Sequence, residues 1–332
     1  MKKRILTGDR PTGKLHIGHY FGSLRNRVKY QKEYDTFIII ADVQALTDNF
    51  KTPRKVRENV KEVAIDNLAV GIDPQRSTIF IQSLIPEIAE LTIFYSNLVT
   101  IARLERNPTV KDEFKQKKEV FQDKITYGFL GYPVSQAADI TVFDADLVPV
   151  GDDQLPQVEQ TQEIVGKFNR IYGKVLVKPE AAIDEFPRVR GLDGRSKMSK
   201  SLDNAIYLGD EAEEIQAKVA KALTDKNKIK IDDKGNPDDC TVFYYHQIFE
   251  AENLAQIRKQ CQTGVRGCVN CKKELANNII QRLAPIREKR KYYEKNPKVV
   301  EDILRNGTQR AKKVAQETLA RVKKSMFLDY FK

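Results

Sequence analysis

The chain has 332 residues, 41% hydrophobic and 31% charged, which is the balance of a globular protein with material for one large or two ordinary domains. Its longest apolar runs, such as residues 37–41, are far too short for a bilayer-spanning helix, so no membrane partner is expected. The net charge of +11 is uneven: residues 1–210 carry 31 basic and 29 acidic side chains, residues 251–332 carry 20 and 8. A positive field gathered at one end suits a polyanion.

The first residues, Met1-Lys2-Lys3-Arg4, run directly into a strand signal with no apolar stretch and cleavage site behind them. They do not read as a secretory signal, and a cytoplasmic location is expected. Ile5-Leu6-Thr7-Gly8 reads as a short strand entering a Gly/Pro turn, with a helix starting near Gly18. Residues 36–42 form a continuous apolar, β-branched run, as a buried parallel strand does. Residues 53–70 carry Val56, Val60, Val63, Ala64 and Leu68 at helical spacing, with Pro53 at the start and Gly71 just past the end. Residues 77–82 give another strand. Strand, helix and strand at this spacing describe right-handed βαβ units. The expected fold class is therefore α/β, a Rossmann-like doubly wound parallel sheet that binds ligands at the carboxyl ends of its strands.

Beyond about residue 205 the character changes. Residues 210–222, 272–293 and 299–325 read as helices, the last with Val300, Leu304, Ala311, Val314, Ala315, Leu319 and Val322 on one face. An irregular stretch rich in Asp, Lys, Asn and Gly occupies roughly 224–240. The expected organisation is a catalytic domain over 1–205 and a helical domain over 206–332, its last helix returning to the first domain.

Two segments are candidates for handling phosphate. In Thr7-Gly8-Asp9-Arg10-Pro11-Thr12-Gly13-Lys14-Leu15-His16-Ile17-Gly18-His19, glycines let backbone approach a ligand, and the helix that follows aims free N–H groups at anions. His16 and His19, two of only three histidines, fall on one side of a helix start and can donate to phosphate oxygens. The second segment, Gly191-Leu192-Asp193-Gly194-Arg195-Ser196-Lys197-Met198-Ser199-Lys200-Ser201, places two lysines three apart on a glycine-hinged loop. That is a cationic clamp for a pyrophosphate whose charge grows as the α–β bond breaks.

All four cysteines lie within 32 residues, Cys240, Cys261, Cys268 and Cys271, spaced C-x20-C-x6-C-x2-C. Four soft ligands with a Cys-x-x-Cys pair point to a bound metal in a reducing compartment, either structural Zn2+ or a [4Fe–4S] cluster.

His16-Ile17-Gly18-His19 and Lys197-Met198-Ser199-Lys200-Ser201 match the two signatures of class I aminoacyl-tRNA synthetases, in the right order and with room for one nucleotide-binding domain between them. The opening run through Tyr20 closely resembles bacterial tryptophanyl-tRNA synthetases. So do Ala69-Val70-Gly71-Ile72-Asp73-Pro74, Leu104-Glu105-Arg106-Asn107-Pro108-Thr109-Val110-Lys111 and Val148-Pro149-Val150-Gly151-Asp152-Asp153-Gln154. The resemblance covers nearly the whole chain. It implies activation of tryptophan by ATP with Mg2+, transfer to tRNA(Trp), and a homodimer. It also implies that Arg10, Pro11, Thr12, Gly18, His19, Gly151, Asp152, Asp153, Lys197, Met198, Ser199, Lys200 and Ser201 bind ATP. The same resemblance implies His16, His19, Lys197 and Lys200 as the catalytic set.

By the same resemblance, Asp139 in Tyr132-Pro133-Val134-Ser135-Gln136-Ala137-Ala138-Asp139 lies in the helix after a Tyr-Pro turn and accepts the indole N–H. Indole offers one donor and no acceptor, so a buried carboxylate is a sound selector. Leu6, Tyr132, Gln136, Val142 and Val150 are candidates for the pocket walls, Gln44 for ligand contact and Gln154 for the α-ammonium group. A subset of these synthetases carries four such cysteines as a [4Fe–4S] cluster, which favours the cluster over zinc; the flanking Arg258, Lys259, Arg266, Lys272 and Lys273 suit a tRNA-facing scaffold. Tyr-x-x-x-Gln-x-x-Asp also resembles tyrosyl-tRNA synthetases, so a tyrosine–tRNA ligase is an alternative. A catalytically inactive RNA-binding paralogue and a small-molecule adenylyltransferase are two more.

Overall fold

The computed structural model describes residues 2–116, 124–151, 154–183, 189–194, 197–249 and 252–331. Among these, five strands form one parallel sheet: β1 (Arg4–Asp9), β2 (Asp35–Ile40), β3 (Ser77–Ile81), β4 (Leu147–Val150) and β5 (Glu180–Ile183), in the spatial order β3-β2-β1-β4-β5. The order reverses between β1 and β4, which opens a crevice at the strand ends there. The doubly wound α/β fold expected from the sequence is what the chain adopts.

Period-two alternation divides the strands between two cores. Ile38, Ile40 and Ile79 face one side; Leu6, Phe37, Ile39 and Phe80 face the other. Against the first side packs α4 (Pro53–Ala69) with Val60, Val63, Ala64 and Leu68. Against the second pack α5 (Pro86–Ser96), α8 (Tyr127–Thr141) and α9 (Leu155–Tyr172). Among the described residues, α1 (Ile17–His19), α2 (Arg25–Glu33), α3 (Asp42–Asn49), α6 (Ile101–Glu105) and α7 (Pro108–Gln116) are the remaining α-helices of this half. A π-helical turn at Tyr20–Leu24 joins α1 to α2.

Two local readings differ from the structure. The second strand stops at Ile40, and Asp42, expected at its end, opens α3. The Tyr132-Pro133 pair, expected as a turn, lies inside α8. Thr126 caps that helix by accepting the Phe129 N–H at 3.2 Å, so a full turn and more precedes Pro133. The proline removes one donor, not the helix.

The second half is helical: α10 (Ala212–Ala220), α11 (Thr241–Phe249), α12 (Leu254–Gln262), α13 (Cys268–Lys295) and α14 (Pro297–Ser325). Ile206, Leu208, Val219, Val242, Leu275, Ile279 and Leu283 join the first core of the sheet rather than forming one of their own. α14 crosses the β3 edge, with Leu304 in the first core and Leu319 and Val322 in the second. Gly307 permits this approach, since a Cβ there would stand 2.0 Å from the Ile79 carbonyl oxygen. Thr308 Oγ1 accepts the Ile81 N–H at 3.4 Å, and the edge strand is thereby covered.

Candidate active site

The chain leaves β1 at Asp9, turns through residues 10–15 and enters α1 with two imidazoles. Each ring nitrogen Nδ1 is occupied as an acceptor: His16 Nδ1 takes the Gly18 N–H at 3.1 Å, and His19 Nδ1 takes the His16 N–H at 3.2 Å. The pair forms a reciprocal cap built from histidines. An acceptor Nδ1 requires the proton on Nε2, which leaves each ring a neutral Nε2–H donor. Burial, reinforced by the neighbouring imidazole and lysines, pushes His16 down to about 2; burial, then Lys200, pushes His19 down to about 3. The ring centroids stand 3.9 Å apart, too close for two cations. Gly18 is required between them, because a Cβ there would meet the His16 ring at 2.8 Å.

The lysine segment folds back onto this loop. Lys200 Nζ donates to the Gly13 carbonyl at 2.7 Å, Met198 is buried in the first core, and its Cβ lies 3.6 Å from the place of a Gly18 side chain. His16 forms an isolated bridge with Tyr207, and Lys197 one with Arg190. Burial lowers Lys200 to about 8, opposed in part by Asp9 and Asp66. The two segments expected to enclose a triphosphate, whose lysine Lys197 lies 178 residues after His19, therefore share one face. Asn204, which sequence reading passed over, shapes the lysine loop: it accepts the Ser199 N–H at 2.8 Å and donates to Asp193 at 3.2 Å and to the Lys197 carbonyl at 3.4 Å.

Beneath the histidines lies a buried ionic floor that the sequence did not announce. Arg27 donates to the Gly8 carbonyl at 2.9 Å, to Asp9 Oδ1 at 3.0 Å and to Asn67 Oδ1 at 3.1 Å, and Asn67 returns a bond to Asp9 at 3.1 Å. Burial works against the Asp9 carboxylate, but Arg27 wins and holds it down at about 2. Arg10 pairs with Asp48. Pro11 is buried and Thr12 half-buried on the same turn.

Asp139 sits on α8, only 3% exposed. Gln82, directly after β3, donates one amide nitrogen to both its oxygens, at 2.8 and 3.0 Å, and accepts the Gln44 N–H at 3.0 Å with its own carbonyl. Burial raises Asp139 to about 7; Gln82 opposes this and Asp42 adds to it. Gln82 is the residue missed here. Its signal was a glutamine ending an apolar strand, at the edge where doubly wound sheets bind ligands.

The other candidates are placed as follows. Tyr132 is buried, its hydroxyl accepting from Gln157 Nε2 at 3.1 Å. Gln136 is half-buried one turn before Asp139. Leu6, Val142 and Val150 belong to the second core. Gln154 precedes α9, its N–H bonded to the Gly151 carbonyl at 2.9 Å. Asp152 and Asp153 lie outside the described residues, as do Arg195 and Ser196 in the lysine segment.

The cysteines come together from α11's approach, α12 and the start of α13. No disulfide joins them. Burial and then Cys240 raise the Cys261 thiol, with Cys268 adding to it; burial raises Cys271 to about 11, where Arg266 opposes and Cys240 and Cys261 add. The causes of these two shifts set the four sulfurs in one neighbourhood. Among the described residues, however, no three His, Cys, Asp or Glu groups stand at ligating distance. Cys271 Sγ instead contacts His246 Nε2 at 3.3 Å.

A parallel sheet with a histidine-capped nucleotide loop, closed by a lysine segment, is an arrangement made for nucleotidyl transfer. Residues 1–284 match the family model for class I tRNA synthetases, W and Y. The chain belongs to that family. It is 54% identical to the tryptophan–tRNA ligase of Clostridium longisporum, over 99% of this chain and 98% of that one. It is 51% identical to that of Lactococcus lactis, over 100% and 99%. The tryptophanyl-tRNA synthetase of Campylobacter jejuni, solved with ADP and tryptophan, superposes with a TM-score of 0.88 at 31% identity, covering 98% of this chain and all of that one.

Proposed function

We propose that this chain is a tryptophan–tRNA ligase: it activates L-tryptophan with ATP, releasing pyrophosphate, and transfers tryptophan to tRNA(Trp). Its relatives at about half identity over the full length carry that activity in their names. The observation that carries the reading is Lys200 closing on the Gly13 turn above two neutral imidazole donors, with Asp139 buried on α8 as acceptor for a single N–H.

In the first step a tryptophan carboxylate oxygen attacks the α-phosphorus in line, and the bond to the β-phosphate oxygen breaks. The Nε2–H groups of His16 and His19 stabilise charge on the phosphate oxygens without giving up protons. Lys197 and Lys200 hold the departing pyrophosphate, and Arg10, Thr12, Met198 and Ser199 complete the nucleotide site with Gly151, Asp152 and Asp153. Mg2+ on the phosphates, when bound, supplies further charge neutralisation. Positioning and electrostatics do the work, with no covalent enzyme intermediate. In the second step a ribose hydroxyl of the tRNA terminal adenosine attacks the adenylate carbonyl and AMP leaves. Asp139 accepts the indole N–H, Gln82 aims it, and Gln154 meets the α-ammonium group.

We further assign residues 1–205 to catalysis and 206–332 to the tRNA anticodon arm, on the strength of the +12 charge of residues 251–332. The four cysteines are assigned to a [4Fe–4S] cluster, with zinc as second choice. A homodimer is supported by exposed Val43, Leu84, Ile93 and Ile101 on and around α3, α5 and α6. A cytoplasmic location follows from the need for ATP and tRNA; among the described residues no helix is long and apolar enough to cross a membrane.

ATP–pyrophosphate exchange with each amino acid tests the reading. Tryptophan alone should support exchange. Preference for tyrosine would make the chain a tyrosine–tRNA ligase, and no exchange with any amino acid would favour an inactive RNA-binding paralogue.

A further inference from the structure

One buried charge in the core is used by none of these steps. Arg290, near the end of α13, is 2% exposed and pairs with Asp66, itself 0% exposed on α4. The same guanidinium pairs with Glu62, one turn earlier on α4, and its Nε with Glu294 at 3.0 Å. Gly209 leaves room for it: a Cβ there would stand 2.6 Å from Arg290 Nε. The far side of each α4 carboxylate holds the nucleotide loop. Asp66 Oδ2 accepts the Leu15 N–H at 2.7 Å, and Glu62 lies 3.9 Å from Lys14 Nζ. Leu15 immediately precedes His16, whose own N–H sets the His19 ring.

We infer that Asp66 and Arg290 are positioning residues for adenylate formation, anchoring the Leu15 N–H so that the two imidazoles face the α-phosphate. The inference rests on the reading of His16 and His19 as the phosphate donors. Burial alone would drive Asp66 towards its neutral form, raising it to about 6 even with Arg290 and the Leu15 N–H opposing. The arginine keeps the carboxylate an acceptor and fixes its rotamer. The arrangement also ties the loop to a rod: Cys271 and Arg290 are on the same helix, and 19 residues at 1.5 Å each put them about 28 Å apart.

The test separates anchoring from packing. Asp66→Leu with Arg290→Met replaces a buried ion pair by apolar volume, which is commonly neutral or stabilising, yet leaves Leu15 N–H without an acceptor. In ATP–pyrophosphate exchange this double variant should melt near the wild-type Tm and lose about 100-fold in kcat, the effect of a misplacement of about 1 Å, with KM for tryptophan unchanged. Asp66→Asn with Arg290→Met restores an amide oxygen for Leu15 and should recover most of kcat. Wild-type kcat in the leucine double variant overturns the inference, as does a loss that the asparagine variant fails to restore. Should the leucine variant not fold, Asp66→Ala with Arg290→Met decides: it too removes the acceptor of the Leu15 N–H, and unchanged kcat would overturn the proposal. Wild-type protein without exchange activity would overturn the functional reading first, and this inference with it.

Discussion

Replacing Gln82 by methionine keeps the volume and removes the one amide that donates to both oxygens of Asp139, at 2.8 and 3.0 Å. Hydrogen bonds to a charged group are each worth roughly 1.5–3 kcal/mol, so losing this shared donor costs the ionised form about 3 kcal/mol, or about two pK units. Asp139 already stands at about 7 through burial. At pH 7.5 the ionised fraction of the free enzyme would then fall from about three quarters to about 3%, and KM for tryptophan should rise roughly 25-fold. The sign is fixed by which form binds: indole N–H needs an acceptor, so binding selects the carboxylate. In wild type, KM for tryptophan therefore rises as pH falls through about 7. In Gln82→Met the same rise begins at a higher pH, and moving from pH 7.5 to 9 should recover much of the loss.

The assay is ATP–pyrophosphate exchange over a tryptophan series between pH 6 and 9.5, with ATP saturating. KM for ATP and kcat should change little, since the histidine and lysine segments do not touch Gln82. An unchanged KM for tryptophan would refute the reasoning, and so would an increase that does not respond to pH. Linkage gives an independent check. Because the folded protein holds a proton on Asp139 that the unfolded chain has released, stability without ligand should decline as pH rises from the ordinary carboxylate range to about 7.

Three further outcomes are expected. At saturating tryptophan, kcat for exchange should show no acid limb near pH 6.5, because His16 and His19 stay neutral far below it, and His16→Ala should lower kcat about 10²- to 10³-fold, as loss of a preorganised donor does; an acid limb at the usual imidazole range would contradict this. Lys200 is cationic below about 8 and loses its charge above it, so kcat should fall as pH rises through that value; Lys200→Arg should abolish the alkaline limb, and a limb that persists would assign it elsewhere. Iron and zinc analysis of anaerobically purified protein should find bound metal, and Cys271→Ser should lose it with a fall in Tm; metal-free wild-type protein with an unaltered melt would reduce the four cysteines to unliganded thiols.

The layered sheet was legible because apolar periodicity carries it. Residues 53–70 announced α4 through five apolar positions at helical spacing, and the strand run at 36–42 was right except where Asp42 turned into the next helix. The meeting of the histidine and lysine segments was legible because their chemistry is local: two imidazoles and two lysines each fall within four residues. What could not be read was the pairing of polar groups distant in sequence. Asp66 lies off the apolar stripe of α4 and looks like a solvent-facing residue, yet its two partners are 51 and 224 positions away. Asp9, Arg27 and Asn67 look like solvent-facing residues in the same way, and only the packing of buried Arg27 and Asn67 onto Asp9 turns them into a floor.

The division has a physical cause. An apolar side chain reports its own burial, because water rejects it wherever it stands. A charged side chain does not, since its burial depends on a partner that a linear reading cannot supply. Asp139 illustrates the boundary. Its proposed selecting role was reached only through likeness to a family, and on that proposal its ability to select depends on Gln82, a neutral residue 57 positions earlier that no signature marks. A specificity carboxylate without its amide donor would be a protonated acid at working pH. On the proposed reading Gln82 holds the acceptor ionised, and variation at position 82 should alter amino-acid selection without any change at Asp139.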